Sequence, residues 1–158
     1  IQNNYIDSVG ISGIIITDKG SKGKAVTGNK ISNCSMMGIS VSVGAKASLN
    51  KNSINMSKKY GINVDKASVS IVGNRISKSK GHGINIVNHA DATVKSNTVV
   101  ESSLHAICFT SSKGTVSKNI CKNNKGFGIC CVKSGSVKIS GNKLSNNKKG
   151  KVYKGKGK

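Results

Sequence analysis

Three side chains that could take part in acid–base chemistry recur at nearly constant intervals. Tyr60, His82 and His105 are separated by 22 and 23 residues, and Lys80 lies just before His82. An imidazole or a phenolate could remove a proton from carbon, while Lys80 or Arg75 could balance the charge of a neighbouring carboxylate. These five residues form the candidate catalytic set. A stack of bulky side chains that packs one corner of a repeated fold would explain the same spacing.

Basic residues dominate the charge of the sequence. The 158 residues include 26 Lys and Arg against 5 Asp and Glu, the formal net charge is +21, and every charged residue after Glu101 is basic. In the frame of the repeat described below, Lys58, Lys80, Lys125 and Lys148 share one column. They are the candidate substrate-binding residues, because a strip of positive charge attracts an anionic polymer. Alternatively, the lysines only keep the surface soluble and block edge pairing.

Composition narrows the choice of partner. Binding of single-stranded nucleic acid uses aromatic side chains interleaved with basic ones, and only 3% of the residues are aromatic, so nucleic acid is not expected. The longest apolar run, near residues 14–16, is far too short to cross a bilayer. Membrane insertion is therefore not expected either.

No metal or cofactor is expected. The five acidic residues fall in different columns, which prevents a cluster that could hold Ca²⁺, and the five cysteines lack zinc-type spacing. Cys108 and Cys130 share an outward column on adjacent coils, close enough for a disulfide but poorly oriented for one. Cys121 and Cys131 fall in inward columns, where we expect buried thiols. Cys34 is expected to be free.

One repeat organises all these positions. An Asn recurs with a first gap of 25 residues and later gaps of 22 or 23, at Asn4, Asn29, Asn52, Asn74, Asn97, Asn119 and Asn142. Nine positions after it stands Gly in five copies, Ala106 in one and Lys151 in the last. Self-similarity at this period indicates a solenoid, in which each copy buries its apolar face only against its neighbours.

The columns between these markers predict strands rather than helices. Ile, Val and Leu alternate with polar residues, as in the segment 83–86, so the local period is two. We expect three short strands of about three to five residues in each coil, with coils stacked about 4.8 Å apart. The Asn column should form an amide ladder and tolerate a left-handed bend, and the Gly column should mark a corner with positive φ or close backbone approach. Lys78 and Glu101 share a column and should form an exposed ion pair.

The pattern Asn-x-Ile followed by Gly-Ile-x-Val resembles the repeat of right-handed parallel β-helix proteins of the pectate-lyase-like superfamily. The resemblance covers about residues 1–153 and implies an all-β, single-stranded right-handed parallel β-helix of about seven coils of about 22 residues. The coils are expected near residues 1–24, 25–46, 47–66, 67–91, 92–113, 114–135 and 136–153, followed by a basic tail at 154–158. The resemblance also implies an extracellular or cell-surface location.

Function follows less directly, because the superfamily includes lyases, hydrolases, epimerases, tailspikes and non-catalytic surface proteins. The Asp clusters of its pectate lyases and galacturonases, and the Asp-Pro-His-Asp type of motif expected in mannuronan epimerases, are absent from this sequence. We expect a module that binds or presents to acidic polysaccharide within a larger carbohydrate-associated protein. The alternatives are a lyase or epimerase acting on uronate-containing glycans and a non-catalytic stalk. Because the chain starts in an inward column, we expect its N-terminal end to be capped by a preceding segment or another chain.

Overall fold

The computed structural model describes residues 1–155, and these residues form a stack of short parallel strands. The strands are β1 (Tyr5–Asp7), β2 (Ile14–Ile16), β3 (Lys24–Thr27), β4 (Lys30–Ser32), β5 (Ile39–Ser42), β6 (Lys46–Asn50), β7 (Ser53–Asn55), β8 (Ile62–Asp65), β9 (Ser68–Val72), β10 (Arg75–Ser77), β11 (Ile84–Val87), β12 (Asp91–Lys95), β13 (Thr98–Val100), β14 (Ile107–Thr110), β15 (Lys113–Ser117), β16 (Ile120–Lys122), β17 (Phe127–Val132), β18 (Val137–Ser140), β19 (Lys143–Ser145) and β20 (Gly150–Gly155).

Every third strand belongs to the same sheet, so the chain winds through three sheets in turn. The first sheet has the order β1-β4-β7-β10-β13-β16-β19, the second β2-β5-β8-β11-β14-β17-β20 and the third β3-β6-β9-β12-β15-β18. All neighbouring strands are parallel, and Ile31, Ile54 and Ile76 pair in register on successive coils. The predicted parallel β-solenoid with three strands per coil is confirmed. The strands run to six residues in β17 and β20, one more than expected.

The core is a narrow column of aliphatic side chains inside the three sheets. Its largest fully buried members are Phe109, Leu49 and isoleucines from successive coils. Cys121 and Cys131 lie in this core as expected, and Cys34 is also buried. The last coil is less covered, since Val137, Ile139 and Leu144 are only partly buried and Val152 is exposed.

The repeated Asn forms the predicted ladder along the whole stack. In each of six steps the side-chain amide Nδ2 donates to the Oδ1 of the next Asn at 2.9–3.0 Å. The backbone N–H of the same residue donates to that Oδ1 as well, for example from Asn52 to Asn74 at 2.9 Å. The amide of Asn74 also donates to the carbonyl of Leu49 in the coil before. Each of the five inner Asn residues therefore connects three coils through buried or partly buried hydrogen bonds. An apolar residue at this position would leave those backbone groups without partners.

The left-handed bend that we expected at the ladder Asn lies one residue earlier. Most positive φ values occur in three columns: one before the ladder Asn, four after it and fourteen after it. Among the described residues, the exceptions are Gly23, Gly44, His89, Gly114 and Gly150. Each column marks a corner between two sheets. The first column mixes Gly, Asn, Ser and Lys, whereas the other two contain no Gly and mix Asn, Ser and Lys with Asp, Glu, Met or Val. The corner glycines of the Gly column have ordinary φ values. A Cβ on Gly61 would lie 2.6 Å from the carbonyl oxygen of Gly83, so close backbone approach explains that column.

The predicted basic tail overlaps the last strand. Lys154 and Gly155 belong to β20, which pairs with β17. The rest of the predicted tail, residues 156–158, lies outside the described residues. None of the described residues forms a helix long and apolar enough to span a bilayer.

Candidate lysine groove and ring stack

A groove of about 660 Å³ runs along the corner that follows the first sheet. Four lysines line it, Lys58, Lys78, Lys80 and Lys125, and we call it the lysine groove. Its other lining residues are Ser8, Gly10, Asn33, Ser35, Met56, Glu101 and Ser103. These residues come from coils one to six, so the groove extends over five coil steps, or about 24 Å at the spacing of paired strands.

Three of the four lysines that the sequence suggested for substrate binding line this groove. Lys58 and Lys80 lie on adjacent coils, Ser103 occupies the same column on the next coil, and Lys125 follows. Lys148 continues the column one coil further as an exposed residue, but it is not among the lining residues. The charge of the groove is therefore interrupted at its fifth coil.

Lys78 and Glu101 line the groove from a second column, which the sequence interpretation used only for an ion pair. Both residues have left-handed backbone conformations, with φ of 56° and 57°. The expected ion pair does not form. Within residues 1–155 the one ion pair joins Lys113 to Asp91 at 3.3 Å, on exposed neighbouring strands, where such a pair contributes less than about 1 kcal/mol. Glu101 thus lies among lysines without being neutralised by any one of them.

The N-terminal end of the groove is ordered by a carboxylate. Asp7 accepts hydrogen bonds from Ser8, Ser32 and Asn33, two of which line the groove. These bonds, led by that from Ser32, lower the pKa of the Asp7 carboxyl. The side chains of Ser8 and Asn33 are held by an ionised group at neutral pH.

The candidate acid–base residues form a stack of rings, as the packing interpretation anticipated. The centroids of Tyr60 and His82 are 5.5 Å apart, and those of His82 and His105 are 5.0 Å apart, with interplanar angles of 10° and 9°. Phe127 and Tyr153 extend the stack at 5.5 and 5.1 Å. Lys59 lies over the Tyr60 ring at 5.6 Å from its centroid, a cation–π contact.

Hydrogen bonds fix the orientation of both imidazoles. His82 Nδ1 accepts the backbone N–H of His105 at 3.2 Å, and His105 Nδ1 accepts that of Phe127 at 2.9 Å. Because Nδ1 is an acceptor, each neutral ring carries its proton on Nε2. Burial, together with the charge of His105, lowers the pKa of His82 to about 4. At neutral pH the His82 ring is therefore an Nε2–H donor.

The other two members of the candidate catalytic set lie apart from the rings. Lys80 is exposed and lines the lysine groove. Arg75 is exposed in β10 of the first sheet and is not a lining residue of the groove. Among the described residues no group of three His, Cys, Asp or Glu side chains could hold a metal ion.

Comparisons with known proteins agree with this architecture. The model of the family described as "Right handed beta helix region" matches residues 1–157. A crystal structure of a double mutant of the periplasmic alginate epimerase AlgG superposes with a TM-score of 0.82 at 15% identity, covering 90% of this chain and 38% of that chain. A second AlgG structure gives 0.75 at 14% identity, covering 96% and 43%. No curated protein matches the sequence.

These comparisons confirm the predicted right-handed β-helix. At such low identities the likeness to AlgG shows the fold alone. The chain spans well under half the length of the AlgG chains that it matches.

Proposed function

Because this chain belongs to the right-handed beta-helix family, we propose that it is a carbohydrate-associated module that binds acidic polysaccharide along its lysine groove. The observation that carries the proposal is the gathering of Lys58, Lys78, Lys80 and Lys125 along one groove parallel to the axis of the stack. A linear polyanion laid in this groove would meet one or two ammonium groups on each of the third, fourth and sixth coils. Alginate, the substrate in the name of the structurally similar epimerase, is the first ligand to test.

Electrostatics explains why the groove suits a polymer better than a small anion. The lysine side chains are exposed and flexible, so each contact contributes little by itself. A polymer that spans several coils makes several such contacts but loses its translational entropy only once, when the first contact forms. Binding should therefore depend steeply on salt, because contacts between exposed charges are screened over about 8 Å at physiological ionic strength.

The test is binding of alginate, polygalacturonate and heparin, measured by calorimetry or retention at increasing salt. We expect the triple variant Lys58→Gln, Lys80→Gln, Lys125→Gln to lose most of the affinity. The matched control replaces Lys46, Lys95 and Lys138 by Gln, which removes the same charge from exposed positions on the third sheet. Equal losses in both variants, or no binding to any of the three polymers at low salt, would refute the proposal.

The second candidate function is a lyase or epimerase acting on uronate residues of the bound chain. It is supported by the fold shared with an alginate epimerase and by the position of Lys80 in the groove, two residues before the stacked His82. Tyr60, Lys80, His82, His105 and Arg75 remain its candidate residues. In both His82 and His105, Nδ1 already accepts a backbone N–H and Nε2 carries the ring proton, so neither nitrogen is free to accept a proton unless that hydrogen bond breaks or Nε2 is deprotonated. Among the described residues, no such hydrogen bond occupies the Tyr60 hydroxyl.

Catalysis is tested separately from binding. Lyase action creates an unsaturated uronate that absorbs in the ultraviolet, and epimerisation changes the proton spectrum of the sugar. If the chain is catalytic, Tyr60→Phe should abolish turnover while retaining polymer binding, because the ring stays in the stack. No product from several uronate polymers that do bind would exclude this function and leave the binding proposal intact. An extracellular or periplasmic location is part of the same proposal, since polymeric uronates are found outside the cytoplasm.

A further inference from the structure

The charge of the lysine groove changes from coil to coil. The lining residues of coils one and two are uncharged, coil three contributes one lysine, coil four two and coil six one. Coil five is the exception, because its two lining residues are Glu101 and Ser103. Taking Lys as +1 and Glu as −1, the formal charges of coils one to six are therefore 0, 0, +1, +2, −1 and +1.

Backbone hydrogen bonds hold these positions at regular intervals. The N–H groups of Lys58, Lys80, Ser103 and Lys125 each donate to a carbonyl of the preceding coil at 2.9 Å. The N–H of Glu101 donates to a carbonyl of the following coil. A sugar ring in an extended polysaccharide has nearly the length of the coil step, about 4.8 Å. Successive sugars of a bound chain can therefore face successive coils.

A second carboxylate lies at the N-terminal end of the groove. Asp7 accepts hydrogen bonds from Ser8 at 2.9 Å and from Asn33 at 2.8 Å, and both donors line the groove. The side chains that line coils one and two thus bring no positive charge, and the group that orders two of them is negative. The lysines of coils three and four are consequently bounded by a carboxylate on each side, Asp7 and Glu101.

The carboxylate of Glu101 discriminates between charged and neutral sugars. A carboxylate accepts hydrogen bonds but cannot donate one. A uronate that faces coil five would bring its own carboxylate next to that of Glu101, and the two like charges would repel. A neutral sugar at this coil can instead donate a hydroxyl to Glu101, and a hydrogen bond to a charged group is stronger than one between neutral groups.

We propose that the groove selects an acidic polysaccharide whose acidic sugars are interrupted by neutral ones, a specificity that rests on the function proposed above. Glu101 is the residue that determines it. Acidic sugars face the lysines of coils three, four and six, and a neutral sugar faces Glu101 on coil five. An uninterrupted polyuronate can occupy the same groove, but it places one carboxylate against Glu101 and binds less tightly for that reason.

The experiment compares two forms of polygalacturonate of equal chain length, one fully ionised and one partly methyl-esterified. Esterification removes charge from some sugars and leaves the polymer backbone unchanged. Calorimetry gives the Kd of each form for wild type and for Glu101→Gln, which keeps the length of the side chain and an acceptor oxygen. We expect the variant to bind the fully ionised form about fivefold more tightly, because one repulsion between like charges is removed. Binding of the esterified form should not strengthen, because this polymer already offers a neutral sugar to coil five.

The matched control is Asp18→Asn. It raises the net charge by the same one unit, at an exposed corner residue that does not line the groove, and Asn tolerates the left-handed backbone there, where φ is 85°. We expect it to change both affinities by the same factor. Equal strengthening of both forms by Glu101→Gln would overturn the selection by Glu101 and leave polysaccharide binding intact. Failure of wild type to bind either form at low salt would refute polysaccharide binding itself, and the selection with it.

Discussion

At the scale of single residues, the position nine residues after the ladder Asn requires a residue with almost no side chain. A Cβ on Gly13 would lie 2.6 Å from Ile31 Cγ2, and the corresponding atoms at Gly38, Gly61 and Gly83 would meet Ile54, Ile76 and Val99. In each case the opposing residue is β-branched and comes from the next coil. Of the six coils that are followed by another coil, one has a larger corner residue, Ala106, and the opposing residue on its next coil is Cys121, which has no branch. The two departures from the repeat therefore compensate each other.

This compensation can be measured. Cys121→Ile should destabilise the protein by about 1–3 kcal/mol, because the restored Cγ2 meets the methyl group of Ala106. Adding Ala106→Gly should recover most of that loss, although Gly by itself is slightly unfavourable. Denaturant unfolding of the two single variants and the double variant gives the coupling energy. Additive effects would mean that the two positions do not oppose each other.

The half-buried His82 should make stability depend on pH. Its pKa is 6.5 without the fold and about 4 within it, where burial is the main cause. Between these values the unfolded chain binds a proton that the folded chain does not, so stability falls as pH drops from about 6.5 to 4 and levels off below. The contribution is at most about 3 kcal/mol, reduced by the partial exposure of the ring.

The variant His82→Phe isolates this contribution. The difference in unfolding free energy between wild type and variant should change across this pH interval, in favour of the variant at low pH, and should be constant above it. Unfolding in urea at several pH values measures the difference. A difference independent of pH would show that His82 titrates alike in both states.

At the scale of elements, each corner is built from one or two residues with left-handed backbone. Eighteen residues other than Gly within residues 1–155 have positive φ, although this conformation costs roughly 1–2 kcal/mol for residues with a Cβ. Asn and Asp tolerate it best, yet Met56, Lys66 and Glu101 also adopt it. The parallel pairing on both sides holds these residues in place, so the sheets determine the corners more than the corner residues do.

Val43 is the least suitable of these corner residues, because it is β-branched and has a φ of 55°. It is 58% exposed, so little burial is lost on its removal. Val43→Gly should therefore stabilise the protein by about 1 kcal/mol in denaturant unfolding. In the control, Val72→Gly in strand β9, the backbone is extended and the same change should be destabilising. Destabilisation by Val43→Gly would show that its backbone is not strained.

These corners also show how far the sequence could be interpreted. The Asn ladder and the in-register isoleucine columns were predictable because every copy contributes the same chemical type at the same spacing. The left-handed positions were not, because their columns mix residue types, for example Ser, Asn, Met, Lys and Glu in the column four after the ladder Asn. The lysine groove was predicted in part. Lys58, Lys80 and Lys125 repeat in one column. Lys78 and Glu101 line the groove from a second column, and the direction of their side chains depends on the left-handed backbone at these two residues.

At the scale of the whole molecule, the solenoid behaves as a one-dimensional stack. Each strand pairs only with the strands one coil before and one coil after it, so a coil can be removed if the register of the remaining columns is kept. Deleting residues 98–119 removes one full period and places Ile120 directly after Asn97. The same deletion brings Lys80 and Lys125 onto adjacent coils. It removes Glu101, Lys113 and Lys118, so the net charge falls by one from +21.

This deletion connects the fold to the proposed function. The shortened chain should keep a β-sheet circular dichroism spectrum and become about 4.8 Å shorter by small-angle scattering, because one strand spacing is lost. It should bind alginate more tightly than the full chain despite its lower net charge, because Lys58, Lys80, Lys125 and Lys148 then follow one another without interruption and the groove has lost its carboxylate. Deleting only residues 98–108, half a period, should unfold the protein, since inward and outward columns no longer match. Weaker binding by a folded full-period deletion would mean that affinity follows total charge rather than the continuity of the lysine column.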